Sequence, residues 1–443
     1  MTPRIRRIRG AGARAARFAA LRRLRPTARG WGTGLGGLVL AGLGLGLGST
    51  DLIRLGLVGP LVVLVGAVWL LLVDPTRGRH PLRVVRAVHP NPVPVHGTAT
   101  ARVEVRAGDP SGRARLAELV LGEQAATQLS GGLTLRARVV RSPGQITLSY
   151  PIQPIRRGRW PLGPLVVRRA DPFGVMRTRA ALGQQAEVAV WPEVVDLLLP
   201  GGALVGEPDR VALGARTPSP DDAALRDYRV GDDLRRVHWA SSARRGQLLV
   251  RSDERAGMLP ASVLLDLPQD RAGIEWSISL AASMGIALLT AGHPVRLLGA
   301  RAGEGAATVD PAVRLRHLRE GAGQTGRAAL LDLTVDLEPG RTPADADADL
   351  LAAAHELTAA GSGSALVLGV LGPLSAAARN TLAPVGDLCD ALAVVRVPSG
   401  AGVARREAEH TIAALRRAGW RACPATPGED LHTCWLRLLR TER

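Results

Sequence analysis

Residues 225–251 hold the densest run of specialised residues in the chain and read LRDYRVGDDLRRVHWASSARRGQLLVR. Gly231 predicts a tight turn, and Asp232 is a good N-cap because its carboxylate can accept hydrogen bonds from free backbone N–H groups. The helix that follows is predicted to end at Gly246, since glycine readily adopts the left-handed conformation after a helix. The stretch therefore predicts a turn, a helix of about three turns and a short strand.

The side chains of this predicted helix indicate a structural network. Asp233 and Arg236 are three residues apart, and Arg235 and Trp239 are four apart, so each pair lies on one side of a helix. Trp239 is predicted to be a large apolar anchor that joins the helix to a neighbouring core. This packing is the first interpretation of the segment, and a catalytic use of it is the alternative.

The same stretch resembles the signature of the bacterial Domain of Unknown Function 58 family. That pattern contains Leu-Arg-x-Tyr, Gly-Asp-Asp, a His-Trp or Asp-Trp pair and Ser-Ala-Arg-Arg-Gly. Two places depart from it, since Asp221 and Asp222 replace the usual Glu-Phe, and Ala240 stands where a lysine usually follows the tryptophan. The predicted interaction motif comprises Leu225, Arg226, Tyr228, Gly231, Asp232, Asp233, Arg235, His238, Trp239, Arg244, Arg245 and Gly246.

Composition excludes several classes of enzyme. All 57 basic residues among the 443 are arginine, and the chain has no lysine. Walker-type phosphate loops, Schiff-base enzymes and pyridoxal enzymes all need a lysine, so these classes are excluded. The three cysteines, Cys389, Cys423 and Cys434, contain no Cys-x-x-Cys pair, and their odd number argues against a disulfide framework.

The positive charge is concentrated towards the N-terminus. Residues 1–251 contain 38 arginines against 17 acidic residues, and ten of those arginines lie in residues 1–30 without an acid. Binding to nucleic acid is one interpretation, but aromatic residues for base stacking make up only 3% of the chain. A basic cytoplasmic tail beside a membrane span is favoured, and no nucleic-acid partner is expected.

Two uncharged apolar runs, 31–49 and 55–73, predict a transmembrane helical hairpin. Each has 19 residues, which at about 1.5 Å per residue just crosses a hydrocarbon core of about 30 Å. Glycine pairs in the first run, Gly42 with Gly46 and Gly44 with Gly48, are expected to let the helices approach closely. Arginines flank both ends, so a two-helix protein of the cell membrane with its bulk in the cytoplasm is predicted, rather than a cleaved signal peptide.

The rest of the chain predicts an α+β multidomain protein. Period-two alternation and regular Pro and Gly indicate a β-sandwich over 74–200, followed by a linker with the signature motif over 201–260. Strands and helices then alternate over 261–443, which is typical of a mostly parallel sheet covered on both faces. The family resemblance implies that this α/β (Rossmann-like) domain is similar to a von Willebrand factor A domain.

That fold often carries a metal site after its first strand, with the pattern Asp-x-Ser-x-Ser. Here the loop reads Asp266-Leu267-Pro268-Gln269-Asp270, so both serines are missing. Asp266 and Asp270 remain as a degenerate Mg²⁺ site, because paired carboxylates suit a hard cation. The alternative is that Asp266 caps the helix that follows. No other cofactor is expected.

The function predicted is a membrane-anchored, non-enzymatic interaction or assembly protein. Family resemblance implies a MoxR-type AAA+ ATPase as its partner, in the maturation of envelope or protein complexes. The alternative is a hydrolase or a metal-dependent enzyme that uses Asp232, Asp233 and His238. Against it, the spacing of these three residues matches no standard metal site, and the sequence indicates no strained nucleophile turn.

Overall fold

The fold combines an apolar helical hairpin, antiparallel sheets and a parallel α/β sheet. The computed structural model describes residues 24–72, 82–117, 119–131, 136–199, 225–227, 239, 242–243, 246, 249–251, 260–302, 317–318, 325–340, 342–359, 366–400 and 402–442. The chain divides between Val190 and Trp191 into two units, and each unit has its own core. The division lies ten residues before the predicted domain boundary at 200.

The first unit begins with two apolar helices, α1 (Ala28–Gly46) and α2 (Thr50–Leu72), joined by three residues. The Thr27 side chain caps α1 by accepting a hydrogen bond from the Gly30 N–H at 3.1 Å, so this helix starts earlier than the predicted run at 31–49. α2 is long and apolar enough to cross a membrane. α1 has 19 residues, but eight glycines dilute its apolar side chains. Both helices expose large apolar residues, among them Leu38, Val39, Leu57 and Leu61.

Glycines set the close approach of the two helices, but Gly44 is the one predicted glycine among them. A Cβ on Gly56 would lie 2.4 Å from the Ala41 nitrogen, and one on Gly37 would lie 2.5 Å from the Gly56 carbonyl oxygen. Gly42, in contrast, has no atom of another segment within 4 Å of such a Cβ. The predicted close approach is therefore confirmed at Gly44, where a Cβ would lie 2.8 Å from the Ile53 nitrogen, and is wrong for Gly42, Gly46 and Gly48. Gly37 and Gly44 are seven residues apart, so they recur on one helix face while Gly42 lies on another.

Ten strands and two short helices are described in the rest of the first unit. They are β1 (Leu24–Pro26), β2 (Arg83–His89), β3 (Val93–Pro94), β4 (Ala99–Arg106), α3 (Pro110–Ala117), β5 (Val120–Ala125), α4 (Thr127–Ser130), β6 (Arg138–Ser142), β7 (Gln145–Ile152), β8 (Gly158–Ala170), β9 (Met176–Leu182) and β10 (Ala186–Trp191). One sheet has the order β1-β9-β8-β10-β3 with β5 on β8, and the other has the order β2-β4-β7-β6. Buried residues of both sheets, such as Val103 and Leu165, share one core, as the predicted β-sandwich requires.

The end of the predicted basic tail belongs to this sandwich. β1 pairs antiparallel with β9, and its Leu24 lies opposite Thr178. Three residues carry no strand signal of their own, so the sequence predicted only a charged tail here. The two helices are consequently inserted between the first and second strands of the β-domain.

The turn between β8 and β9 packs against the base of the helical hairpin. Val175 is buried with Leu70 of α2, and its carbonyl accepts a hydrogen bond from the Thr27 N–H at 2.9 Å. Asp171 holds the turn, because its carboxylate accepts hydrogen bonds from the N–H groups of Phe173 and Met176. Phe173, whose N–H is bound by this carboxylate, is itself 57% exposed and lies outside the core.

The second unit is an α/β domain whose elements follow the predicted alternation. They are β11 (Leu225–Asp227), β12 (Leu249–Arg251), β13 (Ala261–Leu265), α5 (Arg271–Thr290), β14 (Val295–Leu298), β15 (Arg301–Ala302), α6 (Thr325–Val335), β16 (Leu337–Glu338), α7 (Pro343–Ala359), β17 (Leu366–Leu371), α8 (Ala376–Leu388), β18 (Asp390–Arg396), α9 (Val403–Arg417), β19 (Arg421–Ala425) and α10 (Leu431–Arg440). α5 is also long and apolar enough to cross a membrane, but its apolar stretch is 83% buried as a core helix.

Five parallel strands form the main sheet in the order β14-β13-β17-β18-β19. In chain order these strands run 2-1-3-4-5, which is a doubly wound arrangement with helices on both faces. The strands are buried almost throughout because both faces are covered. The segment from Trp191 to Leu199, predicted as the end of the sandwich, packs against this core through Leu197.

Candidate functional site

The topology of the parallel sheet places a crevice between β13 and β17. Doubly wound sheets bind ligands outside the carboxyl ends of the strands, where the strand order reverses. Here β13 has β14 on one side and β17 on the other, so the reversal falls between β13 and β17. Asp266 directly follows β13, and Gly372 directly follows β17. The predicted metal ligand Asp266 therefore lies at the expected position for a site.

Asp266 is already paired with an arginine at this position. Its Oδ2 atom accepts hydrogen bonds from an Nη2–H of Arg396 and from the Gly372 N–H, each at 2.8 Å. Arg396, the last residue of β18, also donates through Nη1 to the Asp266 carbonyl and to the Ser277 hydroxyl. The Arg396 guanidinium is thus held directly beside the Asp266 carboxylate.

Burial makes this ion pair sensitive to the loss of either partner. Arg396 is only 5% exposed. Burial lowers the pKa of the Arg396 guanidinium, while the charge and hydrogen bonds of Asp266 raise it again. The carboxylate is therefore the counter-charge that keeps a buried cation in place.

Asp270, the second predicted metal ligand, caps α5. Its Oδ2 atom accepts a hydrogen bond from the Gly273 N–H at 2.6 Å. The alternative in which Asp266 caps this helix is therefore wrong, because Asp270 is the residue adjacent to its first turn. Among the residues that the structure describes, no cluster of three or more His, Cys, Asp or Glu could hold a metal ion.

The signature segment is described at its two ends and around Trp239. β11 and β12 pair antiparallel, with Leu225 opposite Arg251, so the segment forms a closed loop. Gly246 has a φ of +69° and donates its N–H to the Ser242 carbonyl at 2.9 Å. This geometry confirms the predicted helix end, because a positive φ favours glycine.

Trp239 is 64% exposed, so its predicted burial in a neighbouring core is wrong. The described cores of the second unit do not include it, and Ser242, three residues on, is buried instead. The indole of Trp239 is therefore exposed to solvent. The remaining motif residues Tyr228, Gly231, Asp232, Asp233, Arg235, His238, Arg244 and Arg245 lie outside the described residues, and Leu225 and Arg226 are described only as strand backbone.

A family model described as "Protein of unknown function DUF58" matches residues 224–398. The chain carries a DUF58 domain. The match begins at the signature strand β11 and ends just after β18, and it confirms the family predicted from the motif. No curated protein and no solved structure matches the chain.

The segment that matches DUF58 contains one structural residue that was not predicted from the sequence, Arg396. Arg396 ends a strand, Asp390–Arg396, whose other residues after Asp390 are all apolar. A lone charge at the carboxyl end of a buried parallel strand was a usable signal, because such ends meet at one edge of the sheet. Its partner is 130 positions away, so only the strand order identifies the pair.

Proposed function

We propose that this DUF58 protein is a membrane-anchored, non-enzymatic interaction protein. It works with a MoxR-type AAA+ ATPase in the maturation of envelope or protein complexes. The ATPase and the process come from the family resemblance.

Membrane anchoring is supported by the helices α1 and α2 and by their flanking strands. Leucines and valines of both helices face outward, as lipid-facing side chains do. β1 precedes the hairpin and β2 follows it, and both strands belong to one sandwich. Both ends of the hairpin therefore lie on the same side of a bilayer, and their arginines favour the cytoplasmic side.

The exposed Trp239 is the single observation that carries the interaction function. It lies within the DUF58 match and exposes 64% of its surface, although tryptophan usually buries most of its area. Tryptophan is enriched at the energetic centres of protein interfaces because it combines a large apolar area with an N–H donor. Arg396 neutralises Asp266 in the sheet crevice, so that crevice contributes structure to the domain.

Binding of the full-length protein in detergent to the MoxR-type ATPase tests this proposal. Trp239→Ala should weaken binding about 30-fold, the equivalent of the roughly 2 kcal/mol expected of an interface hot spot. Its melting temperature should match that of the wild type, because the indole is outside the core. Val403→Ala, which alters a 63% exposed side chain outside the DUF58 match, is the control and should bind normally. Equal binding by wild type and Trp239→Ala would show that the indole is not the docking residue.

A further inference from the structure

Four arginines share one exposed face of the first sheet. Arg25 of β1 lies directly opposite Arg177 of β9, and Arg168 of β8 lies directly opposite Arg179 of β9. Arg177 and Arg179 are two residues apart on one strand, so their side chains point to the same side. All four are exposed. We call these four residues the arginine face.

The arginine face borders a groove of about 830 Å³ in the first unit. The groove is also lined by apolar positions, including Val120, Val166 and Ala181. Among its lining residues, all of them described, none is acidic. An apolar floor with a cationic rim suits a ligand that has both a hydrocarbon part and an anionic group.

Electrostatics predict that this face needs an external anion. Like charges directly opposite one another on neighbouring strands destabilise a sheet. None of the ion pairs within the described parts of the chain involves these four arginines, whereas Arg86 and Arg102 of the second sheet each pair with a glutamate. The sandwich therefore pairs arginines with glutamates elsewhere, whereas the described ion pairs leave the arginine face without an acidic partner.

The position of the arginine face indicates which anion it meets. Arg25 is two residues before Thr27, the cap of α1, and Arg177 is two residues after Val175, which is buried against α2. Trp31 in α1 and Phe173 before β9 are each 57% exposed at the same end of the hairpin. Exposed aromatic residues at the end of a span are typical of the membrane interface.

We propose that the arginine face binds the phosphodiester head groups of anionic glycerophospholipids in the leaflet next to the sandwich. Guanidinium groups pair with phosphate oxygens through parallel hydrogen bonds, and paired arginines can hold one head group from two sides. This inference rests on the membrane anchoring in the proposed function. It is independent of the ATPase and of Trp239.

Binding of short-chain phosphatidylglycerol to the full-length protein in a non-ionic detergent tests the proposal, with short-chain phosphatidylcholine as the neutral lipid. The wild type should prefer phosphatidylglycerol. Arg168→Gln/Arg179→Gln should bind it roughly 25-fold more weakly, at about fivefold for each arginine near a lipid surface. Arg102→Gln/Arg138→Gln removes two charges from the second sheet and should bind like the wild type.

Thermal unfolding separates loss of a site from loss of the fold. Without lipid, Arg168→Gln/Arg179→Gln should melt at or above the temperature of the wild type, because repulsion between opposed charges is removed. Phosphatidylglycerol should then raise the melting temperature of the wild type and not that of the variant. No preference for phosphatidylglycerol, or an equal loss in the second-sheet control, would overturn the proposal.

Competition with inorganic phosphate distinguishes the two sources of the anion. Millimolar phosphate should leave phosphatidylglycerol bound, because the apolar floor holds the lipid chains as well. Displacement of phosphatidylglycerol by an equal concentration of inorganic phosphate would instead identify a free-anion site and overturn the lipid assignment. Loss of ATPase binding by Trp239→Ala leaves each of these lipid results unchanged, so the two proposals fail separately.

Discussion

Removing the Asp266 carboxylate should destabilise the α/β unit more than most single substitutions. In Asp266→Ala, the buried guanidinium of Arg396 loses its counter-charge and keeps only the Asp266 carbonyl and the Ser277 hydroxyl as acceptors. The Gly372 N–H also loses its acceptor at the end of β17. The substitution therefore leaves a buried cation and a backbone donor unsatisfied together.

The size of the effect follows from burial. Breaking a buried ion pair by removing one partner costs about 3–5 kcal/mol. In a unit of this size, 1 kcal/mol corresponds to about 2–4 °C of melting temperature, so a drop of about 6–20 °C is expected. Removing both charges in Asp266→Ala/Arg396→Met should recover most of that loss, since a buried pair is often replaceable by apolar side chains.

Thermal unfolding of the full-length protein in detergent measures both variants. The matched control is Glu409→Ala, which breaks the ion pair with Arg405 on α9, where both side chains are at least 50% exposed. Exposed pairs contribute about 0–1 kcal/mol, so this variant should melt close to the wild type. A drop in Asp266→Ala no larger than that of Glu409→Ala would refute the reasoning.

The same assay tests the Mg²⁺ prediction at Asp266 and Asp270. Added Mg²⁺ should leave the melting temperature of the wild type unchanged, because the Asp266 carboxylate is already paired with the Arg396 guanidinium. A rise with Mg²⁺ that disappears in Asp266→Ala would show that a cation binds beside the arginine.

Two further predictions concern the hairpin and the last helix. Gly56→Val should lower the melting temperature by the equivalent of about 1–3 kcal/mol, because its Cβ meets the backbone of Ala41, whereas Gly42→Val should be close to neutral. Hydrogen bonds from Arg437 hold the pKa of Glu429 below its usual 4.5. The ion pair therefore stabilises the fold fully above pH 4.5, and this stabilisation is lost as the pH falls through the lowered pKa of Glu429. The difference in melting temperature between wild type and Glu429→Gln should therefore shrink from pH 6 to pH 3; a constant difference would contradict the assignment.

Local patterns in the sequence were enough to predict most of the α/β unit. The alternation of strands and helices predicted over 261–443 is observed, for example in the strand Ala261–Leu265 and the helix Val403–Arg417. Uninterrupted apolar runs and a clear 3.6-residue period identify such elements, because both are set by neighbours in the sequence. β19 has a weaker strand signal in the sequence, because Pro424 interrupts it, and proline is tolerated in a strand at the edge of a sheet.

Features that depend on distant partners could not be predicted in the same way. The pairing of β1 with β9 and the ion pair of Asp266 with Arg396 each join segments more than 100 residues apart. The exposure of Trp239 depends on the segments that pack beside it, and an isolated tryptophan gives no period from which to infer a buried face. For Asp266 and Asp270 the sequence identified the residue types, and the tertiary structure showed their hydrogen-bond partners.

The insertion of the hairpin between β1 and β2 has a consequence for biosynthesis. Leu24 pairs with Thr178, so β1 leaves the ribosome long before the strand that completes it. At about 5–20 residues per second, the interval is roughly 8–30 seconds. In the proposed topology the helices enter the bilayer during that interval, and the membrane holds β1 at its surface while the remaining strands are made. In that topology, bilayer insertion becomes a step in folding the sandwich, and a chain that fails to insert leaves an unpaired strand exposed.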